Sequence, residues 1–197
     1  MFADLDRTLQ RLLEHELPRE ITQQVTISFE TPDDRFPPTS VSLPAIDLFL
    51  YDVRENLELR TNEWIMERDQ LTTQRKRAPV RVDCSYLITA WASDSAPRPA
   101  EDEHQLLGMV MIGLLRHRIL SGDFLQGALA DQSLPLPTTT LQPGSLQSIG
   151  EFWQALGGKP KAALNYKVTI SVDPYSAATA PLVTDMLMRL SEERIEE

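Results

Sequence analysis

Two segments with the alternation of β-strands constrain the fold most, because each carries apolar residues on both of its faces. Residues 46–53 are a nearly continuous apolar run, Ile-Asp-Leu-Phe-Leu-Tyr-Asp-Val. In residues 80–90 every second residue is apolar, and Leu87 and Trp91 add apolar bulk to the opposite face. A strand that is apolar on both faces is covered by other elements on both faces. We therefore expect both segments to be central strands of a sheet.

Two further segments show the simpler alternation of half-buried strands. Apolar and polar residues alternate from Val25 to Glu30, and again without a break from Leu164 to Val172. Residues 31–39 contain three prolines and are expected to form a loop. Residues 121–143 show little pattern, so no regular element is predicted there.

Four segments are expected to be helical. Residues 2–17 place four leucines on one face before Pro18. Residues 101–118 start with three acidic residues and end with Arg-His-Arg around a broad apolar face, which suits the helix dipole. A short helix is expected to be capped by Ser145 or Ser148 and to end at Gly157-Gly158. Residues 181–197 are expected to form the fourth helix, with Pro181 in its first turn.

The order of these elements favours the α+β class, because the strands are grouped instead of alternating one by one with helices. We predict a mainly antiparallel or mixed β-sheet of about four to five strands with helices packed on one face. Residues 1–174 are expected to form this domain, with a long insertion at about 54–78 that is a hairpin or a short helix. Residues 175–197 are expected to form a C-terminal helical tail.

Charge and composition exclude several classes of function. The 197 residues carry a formal net charge of -10, whereas a free-standing nucleic-acid binder displays a basic surface. No apolar run approaches the roughly 20 residues of a membrane-spanning helix, so direct membrane insertion is not expected. Cys84 is the single cysteine and is expected to be a buried thiol. The acidic start of the chain is unlike a secretory signal, which predicts assembly in the cytoplasm.

The sequence offers no arrangement for catalysis or metal binding. Glu101 and His104 have the spacing found in carboxylate-bridged metal sites, but such a site uses two of these motifs and only one is present. His117 lies between two arginines, with no acidic neighbour to orient it as a base. Asp47 and Asp52 have opposite parity in one strand and are expected to face opposite sides. We therefore predict no enzyme, no cofactor and no metal.

Several segments, taken in their order and spacing, resemble one protein family. They are 47–53 with 55–60, 79–91, 103–108, and 153–158 followed by 163–172. The family is the N-terminal domain of cap, or tail-terminator, proteins from extracellular contractile injection systems, the phage-tail-like particles of the antifeeding-prophage and virulence-cassette type. The resemblance extends from about residue 5 to residue 172. The insertion is long for the family, and residues beyond 174 match nothing in it.

The resemblance implies a structural protein without catalytic residues. It implies a ring of identical subunits, a hexamer, that stops the inner tube and the contractile sheath at the distal end of a particle. The implied partners are further copies of the chain and the sheath and inner-tube proteins. An exposed sheet edge is expected to pair with the last sheath ring. Two alternatives remain open: a tail-assembly adaptor or chaperone that is not retained in the particle, and a small-ligand-binding α+β protein.

The insertion is the expected contact element, because aromatic and apolar residues interrupt its polar sequence. The candidate partner contacts are Arg54, Glu55, Asn56, Trp64, Ile65, Met66, Arg75, Lys76 and Arg77. The last three form the only basic run of the chain, and a solvated turn is the simpler interpretation of that run. An ordinary solvated insertion is the alternative for the whole segment. The C-terminal helix is a second candidate, since its apolar stripe must be buried against something.

Overall fold

The computed structural model describes residues 1–68, 72–120, 122–142, 149–176 and 178–181. Its helices are α1 (Phe2–Glu16), α2 (Arg19–Thr22), α3 (Pro99–Leu115) and α4 (Ile149–Ala155), with a 3-10 turn at Gly127–Leu129. Its strands are β1 (Thr26–Ser28), β2 (Ala45–Glu55), β3 (Trp64–Arg68), β4 (Thr72–Arg77), β5 (Val80–Trp91), β6 (Ile119–Leu120), β7 (Leu136–Thr140), β8 (Ala163–Val172) and β9 (Ala178–Pro181). The chain divides into a first unit, Met1–Arg60 with Val80–Val172, and a second unit, Thr61–Pro79 with the residues from Asp173 onward. None of the helices in the described ranges is long and apolar enough to span a membrane.

A six-stranded sheet in the order β1-β2-β5-β8-β7-β6 forms the centre of the first unit. β1 runs parallel to β2, and the other neighbouring pairs are antiparallel, so the sheet is mixed. The two strands that are apolar on both faces, β2 and β5, pair from Ala45 opposite Trp91 to Glu55 opposite Val82. The α+β class and the four strands that the alternation predicts are confirmed.

Two strands of this sheet were not predicted, so the count of four to five was too low. β6 and β7 form one end of the sheet, and β7 lies within the patternless stretch 121–143. Pro137 of β7 lies opposite Ile119 of β6, close to the sheet edge, where the missing N–H of a proline is tolerated. Pairing with β8, and not a local pattern of its own, makes this segment a strand.

α1 and α3 pack on one face of the sheet and enclose the main apolar core. The helices contribute Leu5, Leu9, Leu12, Leu13, Leu106, Leu107, Val110 and Leu114, and the sheet contributes Ile46, Leu48, Tyr86, Ile88, Tyr166 and Val168, all buried. Each buried side chain of this size contributes roughly 1.5–3 kcal/mol relative to its exposed state. The helical periodicity of residues 2–17 and 101–118 is therefore confirmed by what the two helices bury.

One carboxylate links the end of α1 to the end of α3. Glu16 accepts a hydrogen bond from Arg116 Nη1 at 2.9 Å, and its other oxygen lies 2.9 Å from His117 Nε2. The hydrogen bond with His117, together with that from Arg116, outweighs burial and lowers the pKa of Glu16 to about 2. The expectation that His117 lacks an acidic partner is wrong, because that partner lies 101 residues away in the sequence.

The short helix α4 lies against the second face of the sheet. The ring of Phe152 is 6.3 Å from that of Phe49 and 6.1 Å from that of Tyr51. Trp153 beside it is 1% exposed. Gly157 follows with a φ of 70°, a conformation that favours glycine, and ends the helix where predicted. The predicted caps, Ser145 and Ser148, lie outside the described residues.

A β-bulge in β2 changes which of its side chains share a face. The register between β2 and β5 shifts between Leu50 and Asp52, so Asp47 lies opposite Thr89 and Asp52 lies opposite Ser85. Thr89 and Ser85 are four residues apart on β5 and therefore face the same side. The prediction that Asp47 and Asp52 face opposite sides is wrong, because a bulge inserts one residue into the alternation.

The second unit contains a three-stranded antiparallel sheet in the order β3-β4-β9. Of the two structures expected for the insertion, it forms the hairpin, made of β3 and β4. β9 adds to the hairpin, with Thr72 of β4 opposite Pro181. Pro181, the expected start of the C-terminal helix, is the last residue of β9, and residues 182–197 lie outside the described ranges.

Candidate functional site

The nine candidate contact residues are divided between the two units. Arg54, Glu55 and Asn56 lie at the end of β2 and directly after it, in the first unit. Trp64, Ile65 and Met66 lie on β3, and Arg75, Lys76 and Arg77 lie on β4, in the second unit. The predicted set therefore includes residues of both units.

One face of the hairpin carries an exposed cluster of aromatic and cationic side chains. The guanidinium of Arg75 lies 3.9 Å from the centre of the Trp64 ring, and that of Arg77 lies 5.4 Å from it. Arg77 is also 5.2 Å from the ring of Tyr175. Trp64 is 43% exposed and Tyr175 is 44% exposed. Cation–π contacts of this kind order the arginine side chains and leave them accessible.

The basic run belongs to a strand and not to a solvated turn. Lys76 forms an ion pair with Asp173, whereas Arg75 and Arg77 are exposed and stack on aromatic rings. Ile65, on the neighbouring strand, is 40% exposed. Arginine and aromatic residues are enriched at protein–protein interfaces, where they supply much of the binding energy. This composition makes the hairpin a candidate interaction surface.

The three residues at the end of β2 are already engaged within the first unit. Arg54 Nε donates to Asp52 at 2.8 Å, and Glu55 lies 3.4 Å from Arg60 Nε. Asn56 Nδ2 donates to Asp83 Oδ1 at 3.0 Å. Asn56 therefore positions the bend that follows β2, where its Oδ1 also accepts a hydrogen bond from a backbone N–H.

A polar trough crosses the second face of the sheet from β2 to β7, with a volume of about 590 Å³. On one wall, Asp83 accepts hydrogen bonds from Asn56, from Lys167 Nζ at 3.0 Å and from Thr169 Oγ1 at 2.6 Å. Burial raises the pKa of Asp83, but these hydrogen bonds outweigh it, and the pKa lies below its ordinary value. The alternation of β8 predicts that Lys167 and Thr169 share a polar face, but no sequence pattern indicates Asp83, which lies 84 and 86 residues away.

The reactive side chains of the first unit are poorly placed for covalent or metal chemistry. Cys84 is buried as predicted, and burial raises the pKa of its thiol to about 12, which leaves it protonated and unreactive. Asp47 is fully buried, and burial raises its pKa to about 7. Its Oδ1 accepts a hydrogen bond from Glu30 N at 3.0 Å, and its Oδ2 has no partner among the described residues. In the ranges described, no three His, Cys, Asp or Glu side chains are grouped so as to hold a metal ion.

β2 has a long outer edge that β1 does not cover. β1 pairs only with Ala45–Asp47, and from Leu48 to Glu55 the pairing of β2 within the described residues is with β5 alone. Large apolar side chains are exposed at the end of this strand and just beyond it: Val53, Leu57 and Leu59. An open strand edge beside apolar side chains is a surface suited to association with another chain.

Among the solved structures that match, two are similar over nearly the whole chain. The sheath/tube terminator of PVC, an extracellular contractile injection system, in its extended state matches with a TM-score of 0.73 and 28% identity, over 98% of this chain and 64% of that one. The tube-terminating cap of the anti-feeding prophage matches with a TM-score of 0.68 and 26% identity, over 96% of this chain and 62% of that one. This chain therefore spans less than two thirds of the length of either protein. Comparison with curated proteins gave no match.

A family model described as the Pvc16 N-terminal domain matches residues 4–185. This range includes the whole six-stranded sheet, the hairpin and β9. It agrees with the extent of the resemblance over residues 5–172 and continues past it, so the expectation that residues beyond 174 match nothing in the family is wrong. The chain belongs to the Pvc16 N-terminal domain family.

Proposed function

We propose that this chain is a non-catalytic structural subunit that ends the inner tube and the contractile sheath of a phage-tail-like injection particle. It forms a ring, a hexamer, at the distal end of the particle. The observation that carries this proposal is the structural match over 98% of the chain to a sheath/tube terminator at a TM-score of 0.73. The ring is assembled in the cytoplasm and becomes part of the particle.

The surfaces of the chain support a role in assembly. A terminator must bind the last subunits of a polymer and offer no equivalent surface to a further layer, which a closed ring achieves. The open edge of β2 and the apolar side chains beside it are suited to contacts between subunits. The single cysteine, Cys84, and the carboxyl group of Asp47 are fully buried in the first unit and are not accessible to a substrate.

The hairpin is the proposed contact with the sheath or inner tube. Its face combines Trp64, Arg75, Arg77 and Tyr175, which are large side chains already ordered by stacking. Ordered anchors lose little conformational entropy on binding, so they favour a stable contact. Arg75 and Arg77 would meet an acidic surface on the partner.

Deletion of the chain from a strain that makes the particles tests the proposed function. Electron microscopy should then show tubes and sheaths of uncontrolled length, and a tagged copy supplied in trans should restore the length and label one end. Particles of normal length after the deletion would contradict the proposal. Mass spectrometry of purified particles separates the terminator from an assembly chaperone, because only the terminator remains in the finished particle.

A further inference from the structure

The first unit has two exposed apolar patches at opposite ends of its sheet. The β2-end patch consists of Val53, Leu57 and Leu59, which are 44%, 68% and 46% exposed. The β6-end patch consists of Leu115, Ile119 and Leu141, which are 45%, 54% and 48% exposed. In the order β1-β2-β5-β8-β7-β6, the second strand, β2, lies four strand spacings from β6, on the order of 20 Å. They are two separate surfaces of one sheet.

The two patches carry opposite charges. Glu58 lies between two leucines of the β2-end patch, is exposed, and has no ion-pair partner among the described residues. Arg118 directly precedes Ile119 in the β6-end patch, is exposed, and likewise has no ion-pair partner in the part of the chain described. Of the neighbouring cations, Arg54 is paired with Asp52 and Arg116 with Glu16. Each patch therefore presents one uncompensated charge, negative at one end and positive at the other.

The two patches also differ in shape. Leu57 lies on the bend after β2 and is the most exposed large apolar residue of the described chain. The β6-end patch borders a cavity of about 410 Å³, lined by Leu114, Leu115, His117, Arg118, Thr138–Thr140 and Gln142. An exposed leucine at one end thus corresponds at the other to a hollow that is lined by Leu115 and Arg118 among mostly polar side chains.

We propose that each subunit of the ring places its β2-end patch against the β6-end patch of the next copy of this chain. Leu57 enters the hollow beside Leu115, and Glu58 faces Arg118 across the contact. This inference rests on the proposed ring. A contact between two different patches is head-to-tail and repeats around a closed ring. Like patches in contact would instead bring Glu58 against Glu58 or Arg118 against Arg118, which is unfavourable.

A mixing experiment with Leu57→Glu and Ile119→Glu tests this contact in the full-length protein. Each variant loses one patch, so each alone should be monomeric by analytical ultracentrifugation under conditions in which the wild type forms rings. A head-to-tail contact predicts that mixing the two variants gives a 1:1 heterodimer, because each retains the patch that the other needs. Both residues are exposed, so circular dichroism should show unchanged folding. Phe2→Glu, at an exposed apolar position outside both patches, is the control and should form rings.

Charge exchange gives a second, independent test. Glu58→Lys and Arg118→Glu should each weaken ring association roughly tenfold, and the double variant should recover it, since the two charges across the contact are then opposite again. Rings formed by both apolar variants, or the absence of a heterodimer on mixing, would overturn the contact and leave the terminator function standing. A wild-type chain that remains monomeric and is absent from particle ends would overturn both.

Discussion

The two units of this chain differ in where their apolar side chains lie. In the first unit, leucines of α1 and α3 and alternate residues of β2, β5 and β8 are buried between helices and sheet. In the second unit, none of the described side chains is buried, and Trp64, Ile65 and Tyr175 are each at least 40% exposed. The first unit is held by its own core, whereas the interactions described for the hairpin are strand pairing, the ion pair of Lys76 with Asp173 and ring–cation stacks.

This difference indicates that the two units have different roles. A two- or three-stranded sheet depends on a buried apolar face for its stability in water, and the side chains described for this sheet contribute none. Its exposed aromatic residues, Trp64 and Tyr175, are suited to burial against a partner. The first unit should therefore determine folding, and the second unit should determine attachment. The predictions that follow separate the two, from the largest expected effect on stability to the smallest.

Leu9→Ala should have the largest effect. Leu9 lies on α1 and is 0% exposed, so the substitution removes buried contacts and leaves a cavity. The free energy of unfolding should fall by about 2–5 kcal/mol. Ile112→Ala is the matched control: Ile112 lies on α3 outside both proposed contact patches and is 51% exposed, so its loss should change stability by less than about 0.5 kcal/mol. Equal effects in urea denaturation would contradict the assignment of the core.

Asp47→Asn should change the pH dependence of stability. Burial raises the pKa of Asp47 from 3.8 to about 7, so the folded state holds a proton that the unfolded state has lost. The stability contributed by this proton is complete below about pH 4 and is lost as the pH rises through 7. The free energy of unfolding of the variant should equal that of the wild type near pH 4 and exceed it by roughly 2–4 kcal/mol at pH 8. A difference in unfolding free energy that does not depend on pH would contradict this role.

Glu16→Gln should have an intermediate effect. The charged hydrogen bonds with Arg116 and His117 stabilise the junction of α1 and α3. Their removal should lower the free energy of unfolding by about 1–2 kcal/mol at pH 7. The pKa of Glu16 is lowered from 4.5 to about 2, so this stability is present above pH 4.5 and is lost as the pH falls through 2. Glu14→Gln, on the exposed side of α1, should show little change. Thermal unfolding of both variants at pH 7 and pH 3 checks the prediction.

Trp64→Ala should have the smallest effect on stability and a large effect on attachment. Trp64 is 43% exposed and stacks with Arg75, a contact that contributes about 0.5–1 kcal/mol at exposed sites. The unfolding free energy of the first unit should be unchanged. The amount of the variant retained on purified particles should fall sharply, whereas Ile112→Ala, an exposed apolar position on α3, should be retained. Normal retention of the Trp64 variant would show that the hairpin is not the attachment surface.

The elements found from the sequence are those in which a regular pattern extends over many residues. The apolar periodicity predicted α1, α3, β2, β5 and β8 nearly to their observed bounds, because burial on one face repeats every 3.6 or every 2 residues. β7 was not predicted, because this short strand, with one proline and three threonines, has no alternation of apolar and polar residues. The composition of the insertion singled out Trp64, Arg75 and Arg77 as candidate contacts. It did not predict that Arg77 stacks on Tyr175, because these two residues are far apart in the sequence.

The amino-acid sequence by itself determined the class of fold, the two strands at the centre of the sheet and the two helices that cover one face. Each of these depends on side chains within one short segment. Only the tertiary structure decided that Asp47 and Asp52 share a face, that Glu16 is the partner of His117, and that Leu57 and Ile119 are exposed. These features arise from a one-residue bulge and from pairings between distant segments. Local periodicity does not encode them, because their free energy depends on residues that meet only after the chain has folded.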